Sequence, residues 1–332
     1  MTQPLTLRVF MLLVFLIYVA ERTVWTSPAV AQHGVKVSEC NYRGWKKSYR
    51  ISNGQVEVII APEVGRVMQF HYTGEREIFW ENPAMYGKAP DSNASDWENF
   101  GGDKTWPAPQ SSWKKMTGRS WPPPTTFDSV PLQASTNGNT VELTSRVDPT
   151  YGVKFRRVIE LDALKPQMKI TTIYEKVTGK PVTIGIGGIT QLRDPERVFI
   201  VLPTKSRFAN GYTLQQFEVP EELKVSGRLL SLKRGREAQI GSDGEMLIWM
   251  DDAFALRIRS QRVPGAKYDG DANSTVYTSP DPLKYVELEP FGPLRTLKAG
   301  DRIESEVTYT LSRRKRKDAQ AEAEILMEKD GR

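Results

Sequence analysis

Short runs in which hydrophobic and polar residues alternate, broken at short intervals by Gly and Pro, organise most of this chain. Gln55–Ile60 alternates and stops before Pro62, while Arg66–Tyr72 follows Gly65 and closes at Gly74, so the pair predicts a hairpin. Val141–Val147, Val153–Leu161 and Met168–Val177 come next, separated by Asp148-Pro149 and Lys165-Pro166. Val182–Ile189, Arg197–Leu202, Arg228–Lys233, Met246–Met250, Phe254–Ser260, Tyr285–Glu289 and Arg302–Ser312 continue the pattern. Side chains on alternate positions of an extended chain share a face, so a period of two buries one side of a sheet. No long helical period precedes residue 317, and only Ala319–Lys329, rich in Ala, Glu and Met, predicts a short helix. The expected fold class is all-β, a large antiparallel sandwich.

One interval breaks the pattern. From about Asn82 to Val130 the chain is Pro, Gly, Trp and polar residues, far longer than an ordinary connection. Its centre, Trp97-Glu98-Asn99-Phe100-Gly101-Gly102-Asp103-Lys104-Thr105-Trp106-Pro107-Ala108-Pro109-Gln110, reads as irregular, because Gly-Gly and Pro-x-Pro disfavour both helix and strand. Five of the eight Trp fall between Trp80 and Trp121. Flat aromatic faces beside short polar side chains suit a sugar ring, which has C–H faces and hydroxyls. The alternative is a purely structural lid of Trp over an open sheet face.

The ends and the composition bound the setting. Residues 1–31 have the layout of an export signal: Arg8, the apolar run Val9–Ala20, then Ala29-Val30-Ala31 as a small-x-small cleavage site. The apolar run is too short to cross a bilayer as a stable helix. The long stretch Glu21–Pro28 before the cut keeps an uncleaved anchor open as the alternative. Cys40 is the one cysteine, so no intramolecular disulfide can form, and an exported chain of this kind fits a bacterial periplasm or exterior. The net charge of +6 is mild for 332 residues. Arg313–Lys317 is the one dense basic run and reads as the solvated end of a last strand, so no nucleic-acid partner is expected. The expected division is a signal at 1–31, an extension at 32–44, the sandwich at 45–312 and a charged tail at 313–332.

Several motifs resemble the galactose-mutarotase-like superfamily of aldose epimerases, and more closely an uncharacterised family within it. These are Asn53–Val58 with Ala61–Val67, then Trp80-Glu81-Asn82-Pro83, then Gly101–Gln110, and finally Tyr285–Pro290 with Leu297–Asp301. The resemblance covers roughly residues 45–312 and implies that superfamily's large β-sandwich. Epimerases of this superfamily open a sugar ring with a Glu base and His acids. Here Glu289 resembles the base-bearing position, whereas the only histidines are His33 and His71, and His71 is a weak candidate acid because it does not match the family's catalytic positions. Glu287 stands two residues from Glu289 and on the same strand face, where one carboxyl could raise the pKa of the other. Asp103, Lys104, Trp106, Trp97, Gln110, Glu287 and Arg66 are the candidate ligand-binding residues, with Asp103, Lys104 and Trp106 expected at the mouth of the concave face near Glu289.

Other chemistries find little support. No metal-ligand cluster is visible, and Asp269-Gly270-Asp271-Ala272-Asn273 lacks the completing Glu of a calcium loop. Gly185–Gly188 lies in a strand pattern with no helix after it, and there is no Gly-x-Ser-x-Gly elbow. No metal or cofactor is expected. Three functions stay open: an exported carbohydrate-binding protein, a sugar epimerase using Glu289 with Asp103, Lys104 or His71 in place of the missing donors, and a non-catalytic interaction domain with a structural lid.

Overall fold

Alternation builds the sheets as expected. In Val153–Leu161 the residues Val153, Phe155, Ile159 and Leu161 are buried, while Lys154, Arg156 and Glu160 between them are half-exposed. The computed structural model describes residues 34–329, so the expected signal, its cleavage site and His33 lie outside the described residues. Two large antiparallel sheets face each other. The first, 11-stranded, runs in the order Lys36–Tyr42, Trp45–Ser52, Val56–Ala61, Arg66–Tyr72, Asp103–Ala108, Val182–Arg193, Tyr285–Pro290, Ser274–Thr278, Ala238–Ser242 and Thr213–Phe217. Arg295–Leu297 adds to it alongside Val182–Ile184. The second, 10-stranded, runs Lys224–Ser226, Leu229–Leu232, Arg197–Val201, Met246–Met250, Phe254–Arg259, Arg302–Arg313, Gln167–Lys176, Val153–Leu161, Thr140–Thr144 and Gln133–Asn137. Val58, Phe70, Ile186 and Leu288 of the first sheet share one core with Phe155, Ile170, Leu256 and Tyr309 of the second. The fold is the expected all-β sandwich.

The first sheet begins at Lys36, inside the stretch expected to be an extension. At the other end the expected helix forms at Ala319–Lys329. Ala319, Ala323 and Leu326, spaced along one helix face, pack on Phe199, Ile248 and Ala255 on the outer side of the second sheet. The basic run is drawn into the fold too: Arg313 lies over the rings of Tyr72 and Phe254, and Arg314 pairs with Glu196. Among the described residues no helix is long and apolar enough to cross a membrane.

The Trp-rich interval departs from expectation. Asp103–Ala108 is not irregular: it is a strand in the middle of the first sheet, paired along its length with Gly185–Thr190. Its other neighbour pairs with it only at Val67–Asp103, so Pro107 lies beyond that ladder and removes no hydrogen bond from it. The Gly pair makes this insertion possible. Gly101 and Gly102 have φ of +88° and +70°, and a Cβ at either would stand 2.2 Å from the Trp80 carbonyl oxygen or 2.6 Å from that of Val67. Their close approach is therefore to the protein's own backbone rather than to a ligand.

Candidate functional site

Register lays out a polar surface on the outer face of the first sheet. Gln191, Glu287, Tyr277, Gln239 and Gln216 are successive cross-strand partners, one from each of five adjacent strands. Glu289, two residues from Glu287, shares its face. Above this floor lies a cleft of about 800 Å³, in the range of small-molecule sites. Trp97, Trp106, Trp113 and Trp121 line one side of it, and Glu237, Gln239, Tyr277, Tyr285, Glu287 and Glu289 line another.

The aromatic wall is held from behind. Asp128, fully buried, accepts hydrogen bonds from Trp106 Nε1 at 2.9 Å and Trp97 Nε1 at 2.8 Å, and from Arg66 at 2.9 Å. Trp113 Nε1 donates to the Pro107 carbonyl at 2.8 Å. The rings meet edge to face, with centroids of Trp106 to Trp97, Trp113 and Trp121 at 5.9, 5.8 and 5.8 Å. Trp97, Trp106 and Trp113, hydrogen-bonded at their nitrogens, and Trp121, packed against all three, present faces that are set before any ligand arrives.

The floor is electrostatically tense. Glu287 and Glu289 are both buried and lie side by side. Burial first, and the neighbouring Glu287 second, raise the Glu289 carboxyl well above the usual range. Burial also raises Glu287, while Lys104, whose Nζ lies 3.6 Å from its Oε1, opposes that rise. Lys104 is itself pushed down to about 8 by burial, which Glu287 partly offsets. Its ammonium sits over the rings of Trp106 and Trp97, at 4.9 and 5.7 Å, but makes no hydrogen bond within the protein. Gln239 Nε2 reaches Glu289 Oε2 at 3.5 Å, and the Tyr277 hydroxyl donates to Glu237 at 2.7 Å.

Of the residues singled out from sequence, Trp97, Trp106, Gln110, Glu287 and Glu289 line this one cleft. Lys104 is only 1% exposed and lies beneath Glu287, not at the mouth. Asp103 is a correction. Strand alternation turns it away from Lys104 and Trp106 into the core, where it pairs with Arg157 and accepts the hydroxyls of Thr190 and Tyr309, each at 2.7 Å. Arg66 is a second correction: 1% exposed, it braces Asp128 and the Gly101 carbonyl at 3.1 Å behind the wall. His71 is a third. It is buried on another strand of the sheet, with Nδ1 2.9 Å from the Tyr72 carbonyl, and is not among the cleft-lining residues.

Sequence reasoning did not find Gln239 and Tyr277, because neither Ala238–Ser242 nor Ser274–Thr278 stood out as a strand. Asp128 was equally silent, having no motif around it. Asp269 was read only as part of a turn. It lines the cleft and accepts the backbone N–H of Gln110 at 3.1 Å, with its carboxyl raised by burial. Among the described residues no three acidic, His or Cys side chains are grouped to hold a metal ion.

Solved structures share this fold. A candidate aldose 1-epimerase from Escherichia coli K12 aligns with 80% of this chain and 99% of its own at 14% identity and a TM-score of 0.55. Galactose mutarotase-like proteins from Lactobacillus casei and Clostridium acetobutylicum align with 80% and 84% of this chain, and 100% and 99% of their own, at 11% and 12% identity; both give a TM-score of 0.52. No family model matches the sequence, and no curated protein is significantly similar to it. The chain therefore has the galactose-mutarotase-like supersandwich fold, at sequence distances that speak for the fold alone.

Proposed function

We propose that this chain is an exported carbohydrate-binding protein that works in the periplasm or outside a bacterial cell. The observation that supports it is the cleft itself, in which pre-set Trp faces and a row of Glu, Gln and Tyr side chains line one cavity. Apolar faces take the C–H side of a sugar ring, and the amides and carboxyls take its hydroxyls. The related folds include proteins described as mutarotase-like, which agrees with a sugar ligand. Screening the purified protein against a glycan panel tests the reading. The expected result is a selective ligand whose binding Trp121→Ala weakens about tenfold, roughly 1.4 kcal/mol. Trp121 is 43% exposed at the rim, so its removal should leave the fold intact. A panel without any ligand would favour an interaction domain whose Trp wall is structural. For export, N-terminal sequencing from the native host should find Gln32 first; an intact apolar segment in the membrane fraction would favour the anchor.

A second reading, a sugar epimerase, is favoured by the paired carboxyls. Lys104 pulls Glu287 toward its ionised form, while burial and Glu287 pull Glu289 toward its protonated one, a division of roles that acid–base chemistry uses. Polarimetry on fresh α-anomers tests it: Glu289→Gln should abolish turnover while leaving binding measurable.

A further inference from the structure

The cleft has an unusual charge balance. Glu237, Asp269, Glu287 and Glu289 line it, and no Lys, Arg or His does, although the chain as a whole is basic at +6. Lys104 alone answers these acids from beneath, and it lies against Glu287. Glu287 Oε1 nevertheless remains buried without a hydrogen bond, 3.6 Å from Lys104 Nζ, in a residue only 5% exposed that lines the cleft. A buried carboxylate oxygen held by an ion pair alone leaves hydrogen-bonding capacity unused, and the residue that carries it lines the cleft. The carboxyls are not grouped as a metal ion would need, so the missing partner is not a single ion held by three of them. They are spread around a volume walled by aromatic faces, an arrangement that suits an organic cation held by charge and by cation–π contact.

We infer that the cleft takes a cationic carbohydrate, a hexosamine carrying a free ammonium group, in preference to a neutral or N-acylated sugar. This rests on the carbohydrate reading above and names the class of sugar. The amides of Gln215, Gln216 and Gln239 argue for the sugar part of the ligand, because they offer both donors and acceptors to hydroxyls. A simple amine could use only the acceptors. An N-acetyl group would remove the positive charge and leave the carboxyl oxygens as they are now.

Isothermal titration calorimetry on the full chain tests this with D-glucosamine, D-galactosamine and the glucosamine tetramer. The comparison ligands are glucose, galactose, cellotetraose, the N-acetylglucosamine tetramer and cyclohexylamine. The expected result is binding of at least one amino sugar about tenfold or more tighter than its neutral and acetylated counterparts, the scale of one charge-assisted hydrogen bond. That preference should shrink in Glu237→Gln and in Asp269→Asn, and fall with added salt. Both residues are only partly buried, so the variants should fold, and circular dichroism would verify it. Neutral sugars binding as well as amino sugars would overturn the inference and leave the carbohydrate reading standing. Cyclohexylamine binding as tightly as the amino sugars would overturn it by removing the sugar's part. Binding of no sugar at all would overturn both.

Discussion

Two clusters of buried charge lie on opposite faces of the same strand, Asp103–Ala108, and they differ in how their charges are matched and in what lies beside them. On the inner face Asp103 has the Arg157 guanidinium and two hydroxyls, and Thr105 on the same face bonds the Tyr174 hydroxyl at 2.8 Å and the Gly187 carbonyl at 2.9 Å. On the outer face Lys104 and Glu287 stand 3.6 Å apart, each with a polar atom lacking a hydrogen bond, and a second carboxyl is crowded beside them. The inner cluster joins the two sheets, since Asp103 comes from the first while Arg157 and Tyr309 come from the second. The outer cluster lies within the first sheet, where Lys104 of Asp103–Ala108 meets Glu287 of Tyr285–Pro290 across the intervening strand Val182–Arg193. Arg157 Nε also lacks a hydrogen bond, but the inner charges are matched one to one within the core, whereas the outer cluster has two carboxyls to one ammonium and both carboxyls line the cleft.

The largest effect should come from breaking the inner cluster. Asp103→Asn keeps the shape but leaves the Arg157 guanidinium buried without its counter-charge, which costs about 3–5 kcal/mol. Urea unfolding should show the midpoint dropping by that amount, with ligand affinity of any surviving folded protein unchanged. An intact midpoint with lost affinity would instead place Asp103 in ligand recognition and undo the contrast. Glu287→Gln on the outer face is the partner experiment. It removes the counter-charge of Lys104, whose pKa near 8 lets it release its proton, so the cost should be smaller than for Asp103→Asn.

Trp106→Ala should cost about 3–5 kcal/mol of stability, as for other buried aromatics, so its effect on affinity would be hard to separate. Trp121→Ala avoids this. A tenfold loss of sugar affinity is expected with a midpoint shift smaller than that of Trp106→Ala, because the Trp121 residue is 43% exposed although its ring meets Trp97, Trp106 and Trp113.

The same strand shows what was legible in the sequence and what was not. Val153–Leu161 and Ala319–Lys329 are found at the residues their patterns indicate, because alternation and helix-forming composition are local properties. Asp103–Ala108 was hidden because Gly-Gly and Pro107 look like breakers, and they are tolerated only where tertiary pairing supplies the context. Missing that strand removed the alternation rule at the place where it mattered, so Asp103 was grouped with Lys104 and Trp106 although they face opposite ways. Glu287 and Glu289 were legible as a same-face pair within one strand. Gln239 and Tyr277 were not, since their place beside Glu287 depends on the register of strands far apart in sequence.

The smallest effect is a slope rather than a loss, and its sign separates the two clusters. Glu289 has its carboxyl raised in the folded protein by burial and by Glu287, with Lys104 and Gln239 opposing and Glu237, Tyr277 and Tyr285 also lining the site. A group that holds its proton more tightly folded than unfolded lowers stability as pH rises, beginning at its ordinary value of 4.5. Unfolding free energy of the wild type should therefore decline through this group from about pH 4.5 toward its raised value. Glu289→Gln cannot ionise, so its curve should lack that decline, and near neutral pH the variant should gain on the wild type. Asp103→Asn should leave the decline in place, because the two residues face opposite sides of the sheet. If Glu289→Gln and wild type instead run parallel from pH 4.5 to 8, the outer carboxyls are already satisfied. The contrast between the two clusters would then not hold at this site.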